Sequence, residues 1–371
     1  MKSKAYQQVI NELFTYLHKN PEKSWEEWGT TAYLQEFLAA HGIQSKAFEN
    51  IPGFTAVIGS GKPVVALRAD MDALVQNVDG TVKPNHACGH DAHMTIVSTA
   101  ALMLKNSLKT GEGTVKLIFQ PAEEKGTGAL AVVEEGAVDD VDYLFGIHLR
   151  PEQELPLGKA AVSIDHGAAV FMHGEIHGRD VHGARPHLGS NAIETASEIL
   201  QQLQHIHLDP LVPHSVKMTQ LHAGGDSLNI IPGSASFSLD LRTQTNEAMD
   251  TVTERIDGII RRTSDYHAVP IEIKEAARIA AAEISSRAEH ITRAAIEEVL
   301  GKNNAVPSLT TSGGDDFHFY TIKRPHLHAC MIGLGAGLTP GLHDAEMTFH
   351  KEALTIGAEL VYYTSMKALN F

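Results

Sequence analysis

The sequence has few cysteines, a deficit of positive charge and no long apolar run. Two cysteines among 371 residues exclude a disulfide framework, so Cys88 and Cys330 are each a buried thiol, a metal ligand or a catalytic group in a reducing compartment. Thirty lysines and arginines against 45 aspartates and glutamates give a net charge of −15 without a basic stripe, which argues against nucleic acid and anionic membranes as partners. No run of roughly 18 apolar residues could span a bilayer, and the first residues lack the apolar core of a signal peptide. These absences predict a cytoplasmic protein.

Length and composition instead fit a globular protein with more than one domain. Apolar residues make up 43% of the chain and charged residues 20%, which is typical of a folded chain rather than a disordered one. At about 150 residues per domain, the length predicts two domains, or one domain with a large insertion. The 22 histidines are the unusual feature, and the question is which of them are organised into a site.

Apolar periodicity predicts two kinds of domain. Over 1–166 and 276–371, short apolar runs such as 64–69 and 115–119 alternate with helical segments, which is typical of an α/β fold. We expect a mostly parallel sheet sandwiched by helices there, because both faces of such a sheet are covered. Residues 167–275 follow the order β-α-β-β-α-β of the ferredoxin-like split unit. The sequence therefore predicts a ferredoxin-like α+β domain inserted at 167–275 between the two parts of the larger domain.

Acidic residues and histidine follow the ends of three predicted strands. They are Asp70 and Asp72, Glu123 and Glu124, and His148. The carboxyl ends of parallel strands border the crevice in which ligands bind, and the segment NHACGHDAHM adds Cys88 and His90 to the same crevice. Thiolate, imidazole and carboxylate together suit zinc first, with manganese, cobalt and nickel as alternatives. Taken singly, Cys88 and His90 could be a packed thiol beside a solvated imidazole, and Glu123 and Glu124 could be a solvated turn.

Eight segments resemble, in order, the motifs of the zinc-dependent aminoacylase and carboxypeptidase-type amidohydrolases (metallopeptidases). They are HKNPE (18–22), RADMDAL (68–74), HACGHDAHM (86–94), FQPAEE (119–124), GIHLRPE (146–152), GARPH (183–187), NIIPGSA (229–235) and LHDAEMTFHKEAL (342–354). The branch that they resemble holds indole-acetyl-amino-acid hydrolases, hippurate hydrolases and N-acyl-diaminopimelate deacetylases. The resemblance spans nearly the whole chain, and it implies a catalytic domain interrupted by a smaller lid domain.

Carried over position by position, the resemblance implies a site for two divalent metal ions. Cys88 would bridge the ions, and the other ligands would be His90, Glu124, His148 and His343. Glu123 matches the general base of the family, which takes a proton from a metal-activated water and delivers it to the leaving amine. A second metal ligand or a surface charge is the alternative for Glu123.

The resemblance also implies roles for four further residues. Asp72 would accept a hydrogen bond from a ligand imidazole, with a helix cap or a solvated carboxylate as the alternative. His182 would bind the tetrahedral oxyanion, although the two residues before it differ from the glycine pair that is usual in the family, and a surface histidine is the alternative. Asn229 and Arg242 would bind substrate. For Arg242 the reason is that a guanidinium binds a carboxylate through two hydrogen bonds. A salt bridge inside the lid is the alternative for Arg242.

The sequence therefore predicts a metal-dependent amidohydrolase that cleaves the amide of an N-acyl amino acid or a related small conjugate. One alternative is a dipeptidase or carboxypeptidase on the same metal core, and another is a binding or regulatory relative without turnover. Relatives differ in oligomeric state, so a homodimer through the lid domain is left open. The sequence does not identify the acyl group, the amino acid or the native metal.

Overall fold

The structure is a computed structural model that describes residues 2–371. Its α-helices are α1 (Gln7–Lys19), α2 (Trp28–Ala40), α3 (His90–Lys105), α4 (Gly128–Glu134), α5 (Ala192–Leu203), α6 (Asn246–His267), α7 (Ser286–Leu300), α8 (Phe319–Lys323) and α9 (Glu352–Leu369). Short 3-10 helices lie at Lys2–Tyr6, Glu123–Lys125, Pro186–Leu188, Lys302–Asn304 and Asp316–His318. None of the helices in this described part of the chain has an apolar stretch of the length that a bilayer crossing requires.

Most of the β-strands belong to two sheets, one of eight strands and one of four. In chain order, the strands are β1 (Ser45–Ala47), β2 (Phe54–Ser60), β3 (Val64–Asp70), β4 (Leu74–Val78), β5 (Thr81–Asn85), β6 (Gly113–Gln120), β7 (Tyr143–Pro151), β8 (Ala160–Ala161), β9 (Ile164–His166), β10 (Ala168–His177), β11 (Val181–His182), β12 (His214–Ala223), β13 (Ile230–Ile231), β14 (Ser234–Thr243), β15 (Ile271–Ile279), β16 (Ala305–Val306), β17 (Leu309–Thr311) and β18 (His328–Leu338).

The chain forms two compact units. The first is built from the chain up to Asp165, from Glu283–Thr310 and from Asp316–Phe371, and the second from His166–Ala282 and Thr311–Asp315. The second unit extends beyond residue 275, where the sequence placed its end, because β15 continues to Ile279. It also takes in the short segment after β17, which has no apolar period that would assign it from sequence.

An eight-stranded sheet organises the first unit, with the strand order β1-β2-β6-β3-β7-β18-β8-β16. The four central strands, β6, β3, β7 and β18, run parallel to one another, while β2 and β8 join them antiparallel. Every residue of β3 and β7 is buried, as expected for central strands that are covered on both faces. The predicted α/β fold with a mostly parallel, helix-flanked sheet is confirmed.

The second unit is a four-stranded antiparallel sheet with two helices. The strand order is β12-β14-β10-β15, and α5 and α6 supply the helices of the β-α-β-β-α-β sequence. Buried residues alternate with more exposed ones along β14, while α6 buries Met249, Val252, Ile256 and Ile260 along one face. Each helix starts with a side-chain cap, as in the bond from Ala248 N–H to the Thr245 side chain. The predicted ferredoxin-like insertion is confirmed as a fold.

Candidate metal centre

The five side chains predicted as metal ligands lie in one cluster within the first unit. The donor atoms of Cys88, His90 and His148 all lie within 4.8 Å of one another, and so do those of Cys88, Glu124 and His343. Cys88 therefore belongs to both groups of three. Each group of three is therefore a candidate position for a metal ion.

Strand ends and a helix start bring these donors together. Glu123 and Glu124 follow the carboxyl end of β6, and His148 lies near the carboxyl end of β7, which is parallel to β3 in the same sheet. His90 is the first residue of α3. Gly89 caps this helix with φ 87°, a conformation that a side chain would disfavour.

Two backbone contacts orient the histidines at either end of the cluster. His148 Nδ1 donates to the carbonyl of Leu149 at 2.7 Å, which leaves Nε2 3.6 Å from the Cys88 sulfur. His343 lies in a turn with φ 64°, where its N–H donates to the Ala87 carbonyl at 2.7 Å. Its Nε2 is 3.5 Å from Glu124 Oε1. The Leu149 carbonyl thus fixes which ring nitrogen His148 presents to the cluster, while the backbone bond to Ala87 holds the turn that carries His343.

Asp72 connects the glutamate turn to the His90 imidazole. Its Oδ1 accepts the N–H of Glu123 at 3.1 Å, and its Oδ2 accepts the N–H of Glu124 at 3.0 Å and the Ser24 hydroxyl at 2.6 Å. Its carbonyl accepts a hydrogen bond from His90 Nδ1 at 2.8 Å, with the carboxylate 3.3 Å from the same nitrogen. One buried residue therefore fixes the peptide groups of both glutamates and the tautomer of the imidazole.

Two buried polar atoms in the cluster lack hydrogen-bond partners among the described residues, which is expected of atoms that serve as metal ligands. His90 Nε2 and Glu124 Oε1 lie 3.9 Å apart, and neither has a hydrogen-bond partner within residues 2–371. Buried polar atoms without a partner are rare and costly in folded proteins. A cation bound to both atoms would satisfy them, and sulfur, imidazole and carboxylate donors at this spacing suit a divalent transition metal or zinc.

Burial shifts the pKa values of three residues in the cluster toward their uncharged forms. It raises the pKa of the Cys88 thiol, with a further contribution from the Glu124 carboxylate. Burial also raises the pKa of Glu124 to about 7 and lowers the pKa of His148 well below its usual value. A divalent cation would reverse the first two effects, because positive charge favours thiolate and carboxylate.

A buried polar network lies next to the cluster. His93 Nδ1 donates to Asp70 at 2.7 Å, while its Nε2 accepts the N–H of Leu149 at 3.1 Å. Asp70 also pairs with the buried Arg68, which donates to Asp316 at 2.9 Å. Sequence reasoning missed this network. A cationic residue inside the apolar run 64–69 was the one available signal, since a buried arginine requires acidic partners.

His182 and Asn229 lie next to each other in the second unit. β11 pairs with β13, and the N–H of Gly183 donates to the Asn229 carbonyl at 2.8 Å. His182 is exposed, and its Nδ1 accepts the N–H of Ala184 at 3.0 Å. Because Nδ1 is an acceptor, a neutral His182 carries its proton on Nε2 and presents that nitrogen as a donor.

Arg242 is paired within the second unit. Its guanidinium makes two hydrogen bonds to Asp240, at 2.7 and 3.2 Å, and lies 5.1 Å from the centroid of the Phe171 ring. The salt bridge inside the lid, which was the alternative for this residue, is therefore present. To bind a substrate carboxylate, Arg242 would have to exchange or share Asp240.

Both the sequence and the structure are similar to those of known hydrolases and peptidases. Residues 66–367 match the family model described as "Peptidase family M20/M25/M40". The IAA-amino acid hydrolase ILR1-like 4 of Arabidopsis thaliana is 31% identical over 366 residues, which cover 93% of this chain and 82% of that protein. An N-acetyl-L-cysteine deacetylase of Bacillus subtilis is 29% identical over 371 residues, which cover 95% of this chain and 86% of that protein. Among solved structures, a dinuclear metal-binding M20 peptidase of Bacillus subtilis matches with a TM-score of 0.83 at 26% identity, covering 99% of each chain.

Proposed function

Because this chain belongs to the peptidase family M20/M25/M40, whose members hydrolyse amide bonds, we propose that it cleaves the amide of N-acyl amino acids or related small conjugates. The observation that carries the proposal is the cluster of five donors around Cys88 with Glu123 beside it. The names of two similar proteins support this substrate class, since one acts on IAA-amino acid conjugates and the other deacetylates N-acetyl-L-cysteine.

The proposed cofactor is a pair of divalent metal ions, as in the similar dinuclear peptidase. Cys88 would be shared by both ions, and the remaining ligands would be His90, Glu124, His148 and His343. When bound, such ions lower the pKa of water and polarise a carbonyl group. Zinc is our first choice, because it accepts sulfur, nitrogen and oxygen ligands, with manganese, cobalt and nickel next. Since oxidation destroys a thiol ligand, this role for Cys88 also favours the reducing cytoplasm.

Glu123 is the proposed general base. It is mostly buried, and its Oε2 lies 3.9 Å from His90 Nε2, at the edge of the donor cluster. Glu123 would take a proton from the attacking water and then transfer it to the leaving nitrogen as the C–N bond breaks. His182, with its proton on Nε2, would donate a hydrogen bond to the developing oxyanion. Asn229 and Arg242 are the proposed substrate-binding residues, with Arg242 binding the carboxylate of the amino acid.

A substrate panel tests this function. N-acetyl and N-benzoyl amino acids should be hydrolysed after zinc, manganese or cobalt is added, and dipeptides should be poor substrates. Hydrolysis of dipeptides alone would instead favour a dipeptidase or carboxypeptidase, and metal binding without turnover of any substrate would favour a binding protein. Glu123→Gln should keep its metal and lose roughly 10²- to 10⁴-fold in kcat. The exposed Glu254→Gln is the matched control, and a near-normal rate for Glu123→Gln would remove Glu123 as the base.

A further inference from the structure

The backbone turn before Glu123 is strained. Ala122 has φ 53°, in the left-handed region that a residue with a Cβ adopts only at a cost. The following chain packs closely against this turn, because a Cβ on Gly128 would lie 1.7 Å from the Pro121 carbonyl oxygen. The orientation of the Glu123 side chain therefore depends on the contacts that keep Ala122 at this φ.

Glu27 makes the one side-chain hydrogen bond to the Ala122 amide that is seen in the described structure. Its Oε1 accepts the Ala122 N–H at 2.8 Å, across 95 positions of sequence, and the residue is 0% exposed. The other oxygen, Oε2, has no hydrogen-bond partner within residues 2–371. Burying a carboxyl group for a single hydrogen bond is unfavourable, and proteins depart from good local energetics mainly at functional sites.

The same short segment holds the other side of the glutamate turn. Ser24 donates its hydroxyl to Asp72 Oδ2 at 2.6 Å, and Asp72 accepts the N–H groups of Glu123 and Glu124. We call residues 24–27 the 24–27 loop. Its Glu27 accepts the Ala122 amide directly, and its Ser24 supports Asp72, which accepts the two following amides. Three consecutive backbone amides at this turn are held by carboxyl groups that depend on the loop or belong to it.

We propose that Glu27 is a positioning residue that keeps the Ala122 turn in place and so aims the Glu123 carboxylate at the attacking water. This inference rests on the proposed role of Glu123 as base. Without the Glu27 acceptor, Ala122 would relax toward a negative φ and carry Glu123 with it. A misplacement of about 1 Å is enough to reduce a catalytic rate by roughly 10²-fold.

The conservative variant follows from the environment of Glu27. Burial, together with the nearby Asp72 carboxylate, raises the pKa of Glu27 to about 8. The neutral acid is then the main form at pH 7, and glutamine has the same shape and keeps an oxygen acceptor for the Ala122 amide. Glu27→Gln should therefore restore what Glu27→Ala removes.

The test uses the full-length protein and two kinds of readout. Relative to wild type, Glu27→Ala should lower kcat by about 10- to 100-fold, with KM changed by less than about threefold and metal content unchanged. In the metal-free Glu27→Ala variant, peptides that cover Ala122 should exchange hydrogen faster than in wild type. Glu27→Gln should restore both kcat and the protection of these peptides. The matched control is Glu26→Ala, which removes the exposed neighbouring carboxylate that pairs with Lys23. It should leave both kcat and the exchange of the Ala122 peptides unchanged.

The outcomes separate this inference from the proposed function. An unchanged kcat in Glu27→Ala, or an Ala122 amide that stays protected, would overturn the positioning role. Loss of activity in Glu27→Gln with the amide still protected would overturn it as well. Glu27→Leu, which refills the buried volume, is used if the alanine variant does not fold. If wild type hydrolyses none of the substrates, the proposed function fails, whereas hydrogen exchange still reports whether Glu27 holds the turn.

Discussion

Asp316 should be one of the most sensitive positions for stability in the first unit. It is 0% exposed, and its Oδ1 accepts hydrogen bonds from Arg68 at 2.9 Å and from Gln120 at 2.8 Å. Its Oδ2 accepts the Ala129 N–H at 2.9 Å. Removing one partner of a buried ion pair costs about 3–5 kcal/mol. Because Asp70 still pairs with Arg68, we expect Asp316→Asn to fall at the lower end, about 3 kcal/mol.

The measurement is urea and thermal unfolding of Asp316→Asn and of a control variant beside wild type. A loss of about 3 kcal/mol corresponds to a Tm lowered by roughly 6–12 °C for a domain of this size. Asp139→Asn is the matched control, because Asp139 pairs with Arg324 at 2.7 Å but is 56% exposed. Exposed pairs contribute about 0–1 kcal/mol, so this variant should unfold almost like wild type. Equal losses in the two variants would refute the reasoning that burial makes the Asp316 pair sensitive.

Three further predictions follow from the pKa directions and from burial. Because burial raises the pKa of Cys88, metal binding at pH 7 should release protons and tighten as pH rises, which calorimetry in two buffers of different ionisation enthalpy would detect; pH-independent binding would exclude thiolate ligation. Cys88 and Cys330 are both buried and have raised pKa values, so a thiol reagent should label neither in the native metal-free protein and both after unfolding. The hydrogen bond to Asp91 raises the pKa of His18 above 6.5, so the stabilisation is complete below that pH and is lost as pH rises through the folded pKa. His18→Gln should therefore cost more stability at pH 6 than at pH 8, by less than about 1 kcal/mol since the ring is 53% exposed, and a constant difference would count against the pair.

The parts of the fold that could be predicted are those with a strong apolar period. The run at 64–69 forms β3, and the run at 115–119 forms β6, because central parallel strands are covered on both faces and need no polar alternation. The joint placement of residues at or near the carboxyl ends of β3, β6 and β7 followed from the same geometry, since parallel strands end at one edge. By contrast, His343 lies in a turn with φ 64° after β18, and only the family resemblance assigned it to the cluster.

The rest depends on contacts between distant segments that no local pattern encodes. Arg68 meets Asp316 across 248 positions, and Asp316 begins a short 3-10 helix that no apolar period marks in the sequence. Glu27 lies beyond the motif at 18–22, and in sequence it is one of two adjacent glutamates before a helix, which is typical of a solvated helix start. Only the fold places it against Ala122.

The turn that carries His343 also has a consequence for biosynthesis. Its backbone is tied to Ala87 and, across 267 positions, to Gln76, so residues 76–87 and the segment around His343 must both be translated before this histidine can dock. A ribosome-bound chain that lacks its final segment holds at most four of the five donors. If the five residues bind the proposed pair of ions, uptake of both ions is a late event in the life of each molecule, and truncated products should compete poorly for cellular metal.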